Sequence, residues 1–254
     1  MIFTNKIYIH LTFVWVLFLL PSGKNAQVIK PTKELILIAE YNIQVPEPSG
    51  LSLGKNSESL WTVSDTPDNC VYQMDLKGNI INKLNYFGDD FEGIEYDSIK
   101  NVLWVAEERK HEIIELSITG KKLSRRKINF KGKRNKGFEG ISLCNSNFYI
   151  ANEKQPVKLL KLDSNFSIVS TFDIKGIKDI SGICCDNTKN RIWGISDESK
   201  LIFCFDENLG ITEKHELLFD KMEGLAIDFK QNLVYLVNDS RNKLYVYKFG
   251  EYKD

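Results

Sequence analysis

The sequence predicts an all-β fold: a five-bladed β-propeller of four-stranded antiparallel blades, its ring closed by an N-terminal strand pairing in the last blade. Three observations carry that reading. A short motif recurs five times, as Ser49-Gly50-Leu51, Glu92-Gly93-Ile94, Glu139-Gly140-Ile141, Ser181-Gly182-Ile183 and Glu223-Gly224-Leu225. Its glycines stand 43, 47, 42 and 42 residues apart, and a period in that range marks an array of similar units. The last unit lacks a fourth strand, while residues 34–41 form an apolar run with no unit of their own.

Each unit opens with the motif, as its innermost strand. The second strand follows about ten residues on, as an apolar-aromatic run ending in a carboxylate. Its copies are Leu60-Trp61-Thr62-Val63-Ser64-Asp65, Leu103-Trp104-Val105-Ala106-Glu107-Glu108, Phe148-Tyr149-Ile150-Ala151-Asn152-Glu153, Ile192-Trp193-Gly194-Ile195-Ser196-Asp197 and Val234-Tyr235-Leu236-Val237-Asn238-Asp239. Runs this short, rich in β-branched and aromatic residues, read as strands. A third run follows in every unit, at residues 71–74, 113–116, 159–162, 201–204 and 244–247. A fourth is expected at 80–86, 127–130, 167–172 and 215–219, with Gly78, Gly120 and Gly210 in the turns before three of them. Helical repeats of similar length would space apolar residues by 3.6, and these runs do not. A six-bladed ring would need another copy of the motif. Donating residues 34–41 to the last unit completes it and removes two exposed sheet edges.

With 43% hydrophobic residues the chain can fill a core for one domain of this size. Lys and Arg number 34 and so do Asp and Glu, so no global field draws the chain to nucleic acid. A monomer without a nucleic-acid partner is expected. Lys6 precedes an apolar stretch over residues 7–20, and polar residues 21–27 follow. That is the layout of an export signal, and it falls short of the roughly 20 apolar residues of a spanning helix. Residues 1–26 are therefore expected to be a signal peptide or an uncleaved anchor that tethers the protein to a membrane. Residues 27–254 are expected to be a single propeller domain. Cys70, Cys144, Cys184, Cys185 and Cys204 follow no framework spacing. Buried free thiols are expected, with a disulfide open in an oxidising compartment.

The entry of the innermost strand and the loop after the second strand open on one face of a propeller. Glu92, Glu139 and Glu223, with Ser49 and Ser181 at the equivalent places, are thus expected to ring one mouth of the channel. Three roles fit such a glutamate: accepting hydrogen bonds from the loop before it, holding a metal, or touching a substrate. Converging carboxylates must protonate, find basic partners or hold a cation. Oxygen donors suit a hard cation, most simply calcium. The residues ending the second strands (Asp65, Glu108, Glu153, Asp197, Asp239) and those one earlier (Ser64, Glu107, Asn152, Ser196, Asn238) point to opposite sides of the strand. One set caps turns while the other faces the mouth. Ser49, Ser181, Glu107, Asn152, Asn238, Asp197 and Asp239 are the further mouth candidates. Arg109, Lys136, Lys154 and Arg241 form a candidate basic rim for a phosphate or carboxylate ligand, or are simply solvated loop charges. Trp61, Trp104, Tyr149, Trp193 and Tyr235 are expected to pack between blades. His111 is expected to be a solvated loop residue, and with so few histidines a Ser-His-Asp triad lacks a base.

The phrases around Ser49-Gly50-Leu51, Asp90-Phe91-Glu92-Gly93-Ile94, Leu103-Trp104-Val105-Ala106-Glu107-Glu108 and Lys221-Met222-Glu223-Gly224-Leu225 resemble the SdiA-regulated family of bacterial envelope propellers. The resemblance spans residues 33–249. It implies an exported protein of the bacterial periplasm or cell membrane. The family is similar in plan to calcium-dependent propellers, phytase-like and lactonase-like ones among them, which implies Glu92, Glu139 and Glu223 as calcium ligands. Two functions remain open: a calcium-binding module that binds or senses a small anionic ligand or an envelope protein, and a calcium-dependent hydrolase of phosphoesters or lactones.

Overall fold

The structure, a computed structural model, describes residues 33–132, 137–206 and 210–252. The N-terminal segment expected to direct export and the loop residue Lys136 lie outside the described residues. Strand β1 (Lys33–Asn42) precedes blade 1, which comprises β2 (Pro48–Leu53), β3 (Leu60–Ser64), β4 (Cys70–Met74) and β5 (Ile80–Phe87). Blade 2 contains β6 (Phe91–Asp97), β7 (Val102–Glu107), β8 (Glu112–Ser117) and β9 (Lys122–Lys127). Blade 3 contains β10 (Phe138–Cys144), β11 (Asn147–Asn152), β12 (Lys158–Leu162) and β13 (Ile168–Asp173). Blade 4 contains β14 (Gly182–Asp186), β15 (Arg191–Ser196), β16 (Leu201–Phe205) and β17 (Ile211–Glu216). Blade 5 contains β18 (Met222–Asp228), β19 (Leu233–Asn238) and β20 (Lys243–Tyr252), and β1 pairs antiparallel with β20 as its outer strand. The expected ring of five four-stranded blades is therefore the observed one, closed by the N-terminal strand.

Two outer strands sit elsewhere than expected. In blade 4 the strand is β17, Ile211–Glu216, rather than residues 215–219. In blade 2 it spans β9, not residues 127–130. Its sequence, Lys-Leu-Ser-Arg-Arg-Lys, has little apolar content because it is a solvent-facing edge, where cations discourage pairing with another sheet. Gly120, at φ 85°, turns the chain directly into it.

The motif glycines explain how the ring closes. A Cβ on Gly50 would lie 2.6 Å from the carbonyl oxygen of Glu92 and 2.9 Å from Cα of Gly93. On Gly93 it would come within 3.0 Å of the Ile141 nitrogen, and on Gly140 within 2.9 Å of the Ile183 nitrogen. On Gly182 it would meet the Glu223 oxygen at 2.7 Å, and on Gly224 the Gly50 carbonyl carbon at 2.8 Å. Each inner strand thus leans its glycine on the backbone of the next, all the way round. The channel leaves no space for a water molecule at this level, where the glycines and Ile94, Ile141 and Ile183 line it.

The core is five layers between successive blades. Trp61 and Val63 of blade 1 pack with Phe91, Ile94 and Leu103 of blade 2. Trp104 packs with Phe138 and Ile141, Trp193 with Leu225 and Tyr245, and Tyr235 with Leu51 and Leu60. Tyr149 lies against the layer that joins blades 3 and 4. The aromatic column of the second strands therefore packs between blades, as expected. The cysteines depart from the expectation of free thiols. Cys144 of β10 and Cys185 of β14 form a disulfide between blades 3 and 4, while Cys70, Cys184 and Cys204 are free. The two inner strands meet only once blades 3 and 4 have packed side by side, so their spacing along the chain does not announce the pair.

Replacing a ring glycine tests this closure. Gly50→Ala is expected to cost about 3 kcal/mol, the upper part of the usual range for overpacking a core, because the atoms it meets are backbone. A denaturant melt that moves by less than about 1 kcal/mol would show that the ring tolerates a wider waist.

Candidate functional site

Three motif glutamates reach the mouth through the same local device. In β6 the register runs from Phe91 opposite Glu107 to Gly93 opposite Ala106, which leaves Glu92 as an extra residue. Glu139 is the extra residue between Phe138 and Gly140, and Glu223 the one between Met222 and Gly224. Each is a β-bulge, which frees its side chain from the alternation of the strand and re-aims it. In blade 1 the register instead skips Gly50, and Ser49 stays paired with Val63.

The serines support the glutamate of the following blade. The Ser49 hydroxyl lies 2.7 Å from Glu92 Oε2 and 2.9 Å from its carbonyl oxygen. Ser181 donates to Asp179 at 3.3 Å and also reaches Glu223. The residues after the second strands join the glutamates. Asp65, Asp90 and Glu92 each offer a carboxylate oxygen within 4.8 Å of the others, and so do Glu108, Glu139 and Glu153. Asp65 Oδ1 and Asp90 Oδ2 are buried without a hydrogen-bond partner. Glu108 accepts from the Gly137 nitrogen at 2.7 Å, which steadies one side of the second set.

Such crowding shows in the acidities. Burial, then repulsion from Glu92, Glu108, Glu153 and Glu223, pushes the Glu139 carboxyl well above its ordinary range. Burial does the same to Glu92, with Asp65, Glu108 and Asp90 adding to it and the Ser49 hydroxyl opposing. Glu223 rises to about 8, chiefly by burial and then by Asp239 and Asp197. Glu108 rises to about 7, again chiefly by burial. Asp65 and Asp239 are raised by burial first.

The other predicted residues divide. Asp197 and Asp239 stand close enough to Glu223 to raise it. Asp197 also pairs with Lys221 at 3.4 Å. Glu107, Asn152 and Asn238 differ from the expectation: they are fully buried and tie loops rather than face the mouth. Glu107 accepts from the Asp89 nitrogen at 2.9 Å, Asn152 donates to the Pro156 oxygen at 2.7 Å, and Asn238 donates to the Asp220 oxygen at 2.6 Å. Loop-tying and mouth-facing columns therefore alternate along the strand, with the roles opposite to those expected for these three. The basic rim is largely spoken for. Arg109 pairs with Asp90 at 2.9 Å, and Lys154 with Glu153 and, at 2.8 Å, with Glu198. Arg241 lies over the Phe219 ring at 4.7 Å. His111 is buried against Phe138, with ring centroids 4.8 Å apart, rather than solvated.

Asp90, which no repeat position singles out in the sequence, joins the first carboxylate set. It stands two before Glu92 at φ 76°, in a conformation few non-glycine residues adopt. The bulges also had a signal. Phe91 and Ile94, Phe138 and Ile141, and Met222 and Leu225 are apolar pairs three apart, which breaks a period of two.

The fold and site define a five-bladed propeller with an acidic channel mouth. The chain belongs to the SdiA-regulated family, whose model matches residues 37–248. Among solved structures it is similar to a glutaminyl cyclase from Myxococcus xanthus, at 13% identity and a TM-score of 0.69, covering 87% of this chain and 98% of that one. It is also similar to a virginiamycin B lyase from Staphylococcus aureus, at 18% identity and a TM-score of 0.51, covering 84% of this chain and 70% of that one. At these identities the likeness is one of fold.

The acidities set a pH dependence. Raised carboxyls hold protons in the folded state that the unfolded chain releases near 4.5, so the stability they confer is complete below that value. It is lost as pH rises through about 7 for Glu108 and about 8 for Glu223. Without added cation, the melting temperature is expected to fall across this interval. Glu223→Gln should flatten the fall, as thermal melts at stepped pH would show; an unchanged slope would contradict the assignment.

Proposed function

We propose that this protein is an exported calcium-binding propeller of the bacterial cell envelope that binds or senses a ligand at its acidic mouth. Glu92 with Asp65 and Asp90, and Glu139 with Glu108 and Glu153, are the residues that would hold an ion, with Glu223, which stands outside both sets, as a further ligand. The observation carrying this reading is the pair of three-carboxylate sets, each gathered within 4.8 Å. Two oxygens on one calcium ion stand at most about 5 Å apart, so that spacing suits a shared ion. The unpartnered Asp65 and Asp90 oxygens supply donors without breaking a hydrogen bond. A bound ion would also relieve the repulsion that raises Glu139. Because Arg109 and Lys154 are already paired with carboxylates, a small anionic ligand approaching the mouth meets a negative field unless the ion offsets it. The same argument holds for an acidic segment of an envelope partner.

Calcium titration followed by thermal melting tests this. Binding to the folded state alone stabilises by about 2.7 kcal/mol at one hundred times Kd, or about 5–10 °C for a domain of this size. Glu139→Gln should weaken the response at least about tenfold. No shift at millimolar calcium would end the reading.

A second reading is a calcium-dependent hydrolase of phosphoesters or lactones, in which the ion supplies Lewis acidity. What favours it is that Glu108 and Glu223 are moved close to neutrality, where a carboxyl serves as general acid or base. Two of the similar structures bear enzyme names, a cyclase and a lyase, so this scaffold hosts catalysis elsewhere. Turnover of phosphomonoester, phytate or lactone substrates with calcium, lost in Glu139→Gln, would make it the better account. Absence of turnover in a protein that binds calcium would leave the binding module.

A further inference from the structure

The closed waist of the channel separates the acidic mouth from a second hollow at the opposite ends of the inner strands. This hollow has a volume of about 440 Å³, within the usual range of small-molecule sites. A ring of five equivalent positions, each three residues after a motif serine or glutamate, surrounds the channel there. Its members are Ser52, Glu95, Ser142, Cys184 and Ala226. Four are small and one is a glutamate. Ser52, Cys184 and Ala226 line the hollow together with Glu95, and their small size is what leaves it open.

Glu95 has little to compensate its charge. Its carboxyl accepts from the Leu143 nitrogen at 3.2 Å and from the Ser52 hydroxyl at 3.4 Å, both long. No described lysine, arginine or histidine forms an ion pair with it, although Lys230 lines the same hollow. Burial, the largest effect, pushes it up to about 8. Ser142, its counterpart in the next blade, keeps a fully buried hydroxyl without a hydrogen-bond partner. A half-buried carboxyl with neutral partners and an open polar space in front of it is a poor structural element. It costs desolvation and ties no other strand by a strong bond.

We propose that the far end of the channel is a second ligand site, for a small molecule carrying a primary ammonium group, with Glu95 as its anchor. An ammonium offers three donors to a carboxylate and brings the counter-charge that the protein withholds. The other carboxylate lining the hollow, Asp228, already accepts from the Lys230 and Gln231 nitrogens and from the Gln231 side-chain amide, which leaves Glu95 among hydroxyls and a thiol, a set too sparse for a hard divalent cation, and separates this site from the mouth. The hollow accepts a short aliphatic body beside Leu51, Leu53 and Ile227.

The test uses the full chain, calcium-saturated to occupy the mouth, with n-butylamine and 1,4-diaminobutane as probes and 1-butanol as the neutral control. Binding is read by thermal shift and by ligand-observed NMR. The amines are expected to bind and the alcohol not. Glu95→Gln, which keeps the shape of the side chain, should weaken amine binding at least about tenfold, as loss of a charge-assisted hydrogen bond does, and leave the calcium response intact. Glu139→Gln should do the reverse. Ser98→Trp, at the exposed rim of the hollow, should block the amines without touching the carboxylate, and it stands in if the Glu95 variant does not fold. Equal response to alcohol and amine, amine binding untouched by Glu95→Gln or by Ser98→Trp, or amine binding abolished by Glu139→Gln would each overturn the proposal. So would no binding to the wild-type protein.

Discussion

Backbone touching backbone at the waist of the ring is the contact on which the rest depends. Five glycines, one per blade, let five inner strands approach until a single methyl group would collide with the neighbour's peptide. That proximity decides how near the residues just outside the waist must come to one another. On one side it crowds the motif glutamates and the carboxylates ending the second strands. On the other it surrounds a small hollow with whatever each repeat carries three positions on. The interblade layers of Trp, Tyr, Leu and Ile supply the apolar burial that holds this arrangement against the charge it concentrates.

The crowded mouth opposes folding whenever its carboxyls ionise. Its repulsion is met in part by serine hydroxyls donated from the preceding blade, as Ser49 does for Glu92, and in part by lysines and arginines at the rim. A sequence under selection for stability alone has little reason to keep Glu139, which is repelled by Glu92, Glu108, Glu153 and Glu223. Residues held against their electrostatic interest gather at places that bind or react, and this argument applies to the mouth independently of which ion or ligand occupies it.

Much of the architecture was legible because it repeats. Blade number, strand order, the aromatic interblade column and the closing N-terminal strand all follow from features that recur in register. What recurs less well was harder to read. The outer strand of blade 2 is nearly all charge and so lacks an apolar signature. Alternation sets the two second-strand columns on opposite sides of the strand but does not decide which of them faces the channel. Asn238 and Asp239 are both polar, and only the tie from Asn238 to the Asp220 oxygen assigns them. Glu95 was invisible because its four equivalents are Ser, Ser, Cys and Ala, so no pattern singled it out. Cys144 and Cys185 meet across two blades, a proximity that exists only after blades 3 and 4 have packed. The local irregularity that aims the glutamates was written in apolar spacings of three, such as Phe91 to Ile94, which look like noise until the bulge is known.

Closure by β1 has a kinetic side. Glu40 and Lys243, 203 positions apart, lie side by side at 2.8 Å, a contact of very high order in a chain otherwise built from neighbouring hairpins. The ribosome delivers four complete blades long before the partner of the first strand exists. Until then β1, with Ile36 and Ile38 on it, waits as an unmatched sticky segment, and the nascent wheel is a broken one. Loop-closure entropy makes this final docking cost more than the formation of any one hairpin.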